Sequence, residues 1–150
     1  MAALGLVLYP VEGFTDDPNQ AEIIEMSALS FGQIGRPTTS ANSFMLHWQN
    51  NHVTIGGTGD GFHLGDGSSG RYRIHGVGNQ AITFSAEILS FSANGIYLDE
   101  VYVNGNSNTY STSLNGEGVF IARIGGVVII EPNATIGLHE TDLLMTINYE

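Results

Sequence analysis

The adjacent acid pairs Asp99-Glu100 and Asp16-Asp17 come nearest to paired catalytic carboxylates in this chain. Cleaving a glycosidic bond needs two carboxyl groups flanking it, one to donate a proton and one to attack or to activate water. Neighbours in an extended chain point to opposite faces, so neither pair can flank one sugar bond, and both read as solubilising strand ends. Nucleophilic chemistry has no better footing: there is no Gly-x-Ser-x-Gly elbow and no cysteine. The histidines His47, His52, His63, His75 and His139 show neither His-x-His nor His-x-x-x-His spacing, so a zinc site would have to gather ligands from distant segments. The glycine-rich run at residues 56–70 lacks the Gly-Lys-Ser/Thr of a phosphate loop. Its Asp60 and Asp66 do not form the Asp-x-Asp-x-Asp ladder of a calcium loop, and it reads as a flexible exposed loop. The expectation is no catalytic residue, no metal, no cofactor and no enzyme.

The remaining candidates bind rather than react. Trp48, beside His47, together with Tyr97, Tyr102 and Tyr110, could form a face on which flat aromatic rings stack against sugars. Packing in the core or on a sheet surface is the competing role for the same rings. Asn133-Ala134-Thr135 is a lone glycosylation sequon, meaningful in a host that glycosylates exported proteins.

Charge narrows the partners. Fifteen acidic residues stand against four basic ones, all arginines (Arg36, Arg71, Arg73, Arg123), for a formal net charge of −11. Nucleic acid and anionic membrane surfaces both need clustered basic side chains, and only Arg71 and Arg73 lie close in sequence, on one face if Tyr72 sits in a strand. A strongly negative surface suits an exported protein that must stay dispersed. The absence of lysine removes the amine for isopeptide crosslinks and Schiff-base chemistry. The opening Met-Ala-Ala-Leu-Gly-Leu-Val-Leu lacks a basic signal-peptide n-region and is too short to span a bilayer, which would need about twenty apolar residues. It reads as a mature or trimmed chain with an added Met1.

These residues must be positioned by strands. With 150 residues, 42% hydrophobic content and twenty glycines, the chain suits one domain of many short strands joined by turns. Apolar alternation predicts strands at residues 21–26, 28–34, 43–48, 52–55, 71–77, 81–91 with a break near Ala86, 96–103, 118–124, 127–131 and 143–149. Asn94-Gly95, Asn104-Gly105 and Asn115-Gly116 predict tight hairpin turns, because this dipeptide tolerates positive φ. The fold class is all-β: a single immunoglobulin-like or pilin-like antiparallel sandwich with an N-terminal extension strand.

That extension, Leu4-Gly-Leu-Val-Leu-Tyr-Pro-Val11, is set apart by a turn-forming acidic stretch. Leu4, Leu6 and Leu8 fall on one side of an extended chain, and such a strand needs an acceptor edge in its own sheet or in a copy of it. Residues 1–14 are expected to be a donor-type strand, 15–20 a hinge, and 21–150 the sandwich. Burying the three leucines at roughly 2 kcal/mol each, with several edge hydrogen bonds at about 1 kcal/mol each, gives a gross docking gain on the order of 10 kcal/mol before ordering costs.

Leu29-Ser-Phe-Gly-Gln-Ile34, Gly118-Val-Phe-Ile-Ala-Arg-Ile-Gly-Gly126 and the stretch from Asn133 to Leu143-Leu-Met-Thr-Ile-Asn-Tyr149 occur in that order. Together they resemble the bacterial secreted domain-of-unknown-function family numbered 4402, over about residues 21–150. The resemblance implies an early Phe-Gly-x-Ile strand, a late strand leading into an Ile-Gly-Gly turn, a closing alternating strand, and a pilin- or fimbria-like sandwich without an active site. The expected function is an extracellular structural subunit of a pilus-like filament at the cell surface. It polymerises head to tail as a homo-oligomer, with Leu4, Leu6, Val7, Leu8, Tyr9 and Val11 as the donor strand at the subunit interface. The alternative is a monomeric, self-complemented secreted adhesin or carbohydrate-binding module, with a host or cell-surface glycan as partner and Trp48, Tyr97 and Tyr102 as the stacking residues.

Overall fold

A computed structural model describes residues 3–11, 21–89 and 94–150, the first of these by backbone course alone. Its elements are β1 (Ala3–Val11), β2 (Glu22–Ser27), β3 (Leu29–Gly35), β4 (Asn42–Leu46), β5 (Val53–Gly57), β6 (Phe62–Leu64), β7 (Gly70–His75), β8 (Ala81–Ile88), β9 (Ile96–Val103), β10 (Thr109–Ser113), β11 (Val119–Ile130) and β12 (Gly137–Tyr149). The period of two that marks these segments in sequence is the period at which they bury side chains. In β7, Gly70, Tyr72 and Ile74 point inward, while Arg71, Arg73 and His75 point out. The inward sets of two six-stranded sheets, ordered β10-β8-β12-β1-β3-β6 and β2-β7-β11-β4-β5 with β9 also on β11, enclose one core. Phe31, Phe44, Tyr72, Phe84, Ile74 and Ile124 lie fully buried in it. The fold is all-β, two sheets packed as a sandwich.

Successive strands almost always belong to opposite sheets, and only the β4–β5 hairpin keeps consecutive strands together. The Asn-Gly turns therefore do not close hairpins as expected. Asn104 and Gly105 do adopt positive φ, 49° and 80°, in a tight turn closed by Asn106 N–H donating to the Val103 carbonyl at 3.0 Å. That turn passes the chain from β9 in one sheet to β10 in the other. The turn after β10 is held by Asn115, whose Oδ1 accepts from the amides of Glu117 and Val119, and its positive-φ residue is Gly118 rather than Gly116.

Other boundaries also move. The strands expected at 118–124 and 127–131 are one strand, β11, which runs straight through the Gly125-Gly126 pair where the resemblance implies a turn. It is long because it takes different partners along its length: β7 pairs with residues 119–124, β4 with 126–130 and β9 with 124–130. The closing strand β12 begins at Gly137, not near residue 143, because its first half pairs with β1. The run at residues 56–70 is not simply an exposed loop. It contains β6, and the buried Asn42 ties it down, donating to the carbonyls of Gly56 and Gly59 and accepting from Gly61 N–H at 2.8 Å.

The first strand lies inside the first sheet, between β12 and β3. Every described strand pair is antiparallel except this one with β12, where Leu4 to Val11 run parallel to Gly137 to Leu144. A parallel pair cannot be joined by a tight turn, and here nearly the whole chain separates the two strands. The antiparallel ladder with β3 covers Ala3 to Leu8 and stops before Pro10, which has no N–H to offer. Within that ladder the register shifts by one residue between Leu6, opposite Gly32, and Val7, opposite Ser30. Residues 12–20, which include the expected hinge and the Asp16-Asp17 pair, lie outside the described residues, as do the side chains of Leu4, Leu6, Val7, Leu8, Tyr9 and Val11.

Candidate functional site

Two places on the sandwich could act on a partner: the slot that β1 fills, and the outer face of the second sheet around β9 and β11. The slot has backbone on both sides. On one side β3 turns at a bulge, with Phe31 driven into the core and Gly32 at φ +73°. A Cβ on Gly32 would stand 2.8 Å from the Asp66 carbonyl oxygen, so the Phe-Gly dipeptide joins a core anchor to a residue that only glycine satisfies without strain. On the other side β12 presents its residues from Gly137 onward.

The aromatic candidates divide. Trp48 lies in the turn after β4, not in a strand as expected, and its indole rests against Gly105: a Cβ there would meet Nε1 at 2.9 Å. The same turn crosses over Gly125, where a Cβ would come within 2.4 Å of the Leu46 carbonyl oxygen and 2.9 Å of the Trp48 amide nitrogen. Tyr102 is the register partner of Gly125 on the other strand, so Trp48 and Tyr102 stand near one glycine. Tyr97 pairs with Ile129, four residues further along β11, and is 51% exposed. Tyr110 is elsewhere, stacked on Phe120 with ring centroids 5.7 Å apart.

The structure also corrects the reading of Asp99 and Glu100. Between its pairs with Val127 and Val128, β9 carries one extra residue, Asp99, and at such a bulge the strict alternation of faces breaks down. Both carboxylates are exposed and line one cleft of about 530 Å³ with Glu87, Tyr102 and Asn108, between β8 of one sheet and β9 of the other. The Tyr102 hydroxyl donates to Glu100 Oε2. Three carboxylates, a phenol and an amide make a surface rich in acceptors, suited to a cationic or polyhydroxylated ligand. An adjacent acid pair in sequence is the only signal for this cleft; the bulge and Glu87 come from tertiary structure.

Among the histidines, the β4–β5 hairpin brings His47 and His52 together, ring centroids 6.0 Å apart, with His47 Nε2 at 2.6 Å from Thr54 Oγ1. His63 Nε2 lies 2.6 Å from the Phe31 carbonyl and His139 Nε2 2.7 Å from the Thr135 carbonyl, while His75 faces out beside the arginines of β7. Two ionisable groups are displaced from their usual range. Asp60 accepts from the Thr38 hydroxyl at 2.5 Å and amide at 2.6 Å and from the Thr39 amide at 3.2 Å, and these bonds hold its carboxyl far below the ordinary carboxylate range. Burial, then the charge of Glu25, pushes the Tyr72 phenol well above its ordinary value, and among the described residues its buried hydroxyl has no well-formed hydrogen-bond partner. Both serve the fold: Asp60 staples residues 38–39 to the glycine-rich run, and Tyr72 fills the core. No protein-family model matches the chain, and no curated protein matches it.

Proposed function

We propose that this chain is an extracellular structural subunit of a pilus-like filament that polymerises by donating its N-terminal strand to a neighbouring subunit. The observation that supports this reading is the place of β1: the first strand, set in the middle of a sheet, with β12 on one side and β3 on the other. Withdrawn, it leaves two facing strand edges, a template that another extended segment can fill by backbone pairing. The best-matched segment is the same strand of an identical chain, and a contact of that kind propagates head to tail.

A second reading has its own support. In the single chain the strand completes its own sheet, as a monomeric, self-complemented secreted adhesin or carbohydrate-binding module requires, with Trp48, Tyr97 and Tyr102 as its stacking residues. Electron microscopy of the purified full-length chain separates the two. Filaments with a subunit-sized repeat, lost when residues 1–14 are deleted and regained when the free peptide is replaced by a donor-bearing copy, support strand exchange. Uniform monomers at high concentration, with a first strand that never exchanges, sink it in favour of the second reading.

A further inference from the structure

We propose that the outer face of the second sheet binds an acidic polysaccharide, with Arg71, Arg73 and Arg123 holding its carboxylate or sulfate groups and the Trp48 ring lying against a neighbouring sugar. The inference rests on the carbohydrate-binding reading and adds the charge of the saccharide and the residues that recognise it. In a chain with fifteen acids and four arginines, three of the arginines stand together. Arg71 is directly opposite Arg123 across β7 and β11, and Arg73 lies two residues along on the same outward face, about 7 Å away at the rise of a strand. Like charges directly opposite in a sheet repel, so the cluster destabilises the free chain. Among the described residues none of the three guanidinium groups has an ion-pair or hydrogen-bond partner, Glu22 and Glu25 of the adjacent β2 included, and the fourth arginine, Arg36, donates to the Ala134 carbonyl at 3.0 Å. Their donors are open to an anion, and a planar guanidinium meets a carboxylate or sulfate through paired hydrogen bonds.

The turn that positions Arg123 also positions the ring. Asn104 donates its N–H to the Arg123 carbonyl at 2.8 Å and accepts from the Arg123 amide through Oδ1 at 2.7 Å, while the next residue, Gly105, rests against the Trp48 indole. Trp48 crosses β11 at Gly125, two residues from Arg123 and on the same face, between the ladder with β7 at 119–124 and the ladder with β4 at 126–130. A flat ring beside a row of guanidinium groups matches a ligand that carries apolar sugar faces and anionic substituents together. Other polyanions fit less well. A membrane or a nucleic-acid duplex presents phosphate over its whole footprint and would meet Glu22, Glu25 and Glu100 around the patch, whereas a single polysaccharide chain carries its charges along one line. A single-stranded nucleic acid needs aromatic rings along the basic track, and the cross-strand neighbours of Arg71 and Arg73 are Ser27, Ile24, Ile121 and Arg123. No residue of β1 takes part, so the site is the same whether or not that strand exchanges.

Isothermal titration calorimetry of the full-length chain tests it, with polygalacturonate for the carboxylate, dextran sulfate for the sulfate, and fully methyl-esterified polygalacturonate, poly-L-glutamate and oligothymidylate for comparison. The expected result is binding to one or both acidic polysaccharides, the pair telling which acid group the cluster prefers. That binding should weaken as salt is raised, since screening acts on exposed charge pairs. Arg71→Gln with Arg123→Gln should raise the dissociation constant at least about tenfold, the loss expected when charge-assisted hydrogen bonds are removed. The urea midpoint of this double variant should equal or exceed the parent's, because the repulsion between the two strands is relieved. Arg36→Gln removes one positive charge elsewhere and should bind like the parent. Arginine variants of parental affinity overturn the proposal, as does equal affinity for the esterified polymer, which leaves the carbohydrate-binding reading standing. No binding to either acidic polysaccharide also overturns it, and an array of neutral glycans then decides whether the carbohydrate-binding reading falls with it. Poly-L-glutamate or oligothymidylate bound as tightly as the acidic saccharide overturns it too, making the cluster a general polyanion or nucleic-acid site.

Discussion

Leu6 of β1 and Gly32 of β3 stand opposite each other where the register between the two strands slips by one residue. The slip places Phe31 in the core and leaves Gly32 at φ +73°, with no room for a Cβ against the Asp66 carbonyl. Gly32→Ala should therefore cost about 2 kcal/mol or more, combining the left-handed backbone penalty with displacement of the 65–66 turn. A urea midpoint within experimental error of the parent would show that this turn yields freely and that the slot edge is not built around the bulge.

The position of β1 between two partners predicts a sharp response to loss of a single N–H. Leu6→Pro lies where β1 is paired on both sides and should destabilise by roughly 3 kcal/mol. The native Pro10 shows the contrast: it sits beyond the end of the β3 ladder. Thermal melts of the parent and the variant, taken with their oligomeric state, measure the effect; equal melting points would mean that β1 is not held from both sides.

Gly125 carries the crossing of the Trp48 turn. A methyl group there meets the Leu46 carbonyl, so Gly125→Ala should cost about 1–3 kcal/mol and shift the Trp48 turn. Trp48 is the only tryptophan, so its fluorescence maximum reads the displacement directly. An unshifted spectrum together with parental stability would contradict the close approach.

Among the described residues, the buried Tyr72 hydroxyl has no well-formed hydrogen-bond partner. Tyr72→Phe removes the desolvated hydroxyl and keeps the ring, and should stabilise by up to about 1 kcal/mol. The pH dependence has a definite sign. Because burial and Glu25 raise the phenol's pKa in the folded state, its contribution to stability is intact below the unfolded value of about 10 and is lost as pH climbs above it. The parent should lose stability faster than Tyr72→Phe above that pH; parallel alkaline unfolding curves would show that the phenol ionises unhindered.

How much of this was legible beforehand differs element by element. β9 is found at its full expected extent, and β2, β3 and β7 nearly so, because apolar alternation is a local signal; β7 follows it fully, burying every second side chain, while β9 loses it at Asp99. β10 and β6 escaped because Thr109–Ser113 is polar and lies at a sheet edge, while Phe62–Leu64 is three residues inside a glycine-rich run. The Asn-Gly pairs marked turns correctly but not their partners, since a turn's geometry says nothing about which sheet receives the next strand. In the acidic cleft, adjacency of Asp99 and Glu100 was visible and their shared side was not, because the extra residue in β9 exists only against β11.

The sequence by itself determined the all-β class and the negative charge, because composition and period-two patterning act through each residue's immediate environment. Tertiary structure alone decided that β1 lies parallel to the far end of the chain, that three arginines meet across β7 and β11, and that Trp48 crosses Gly125. The physical reason is common to all three. Strands that alternate between two sheets pair almost entirely with segments remote in the chain, and those pairings are chosen by closure of the whole core rather than by any local preference.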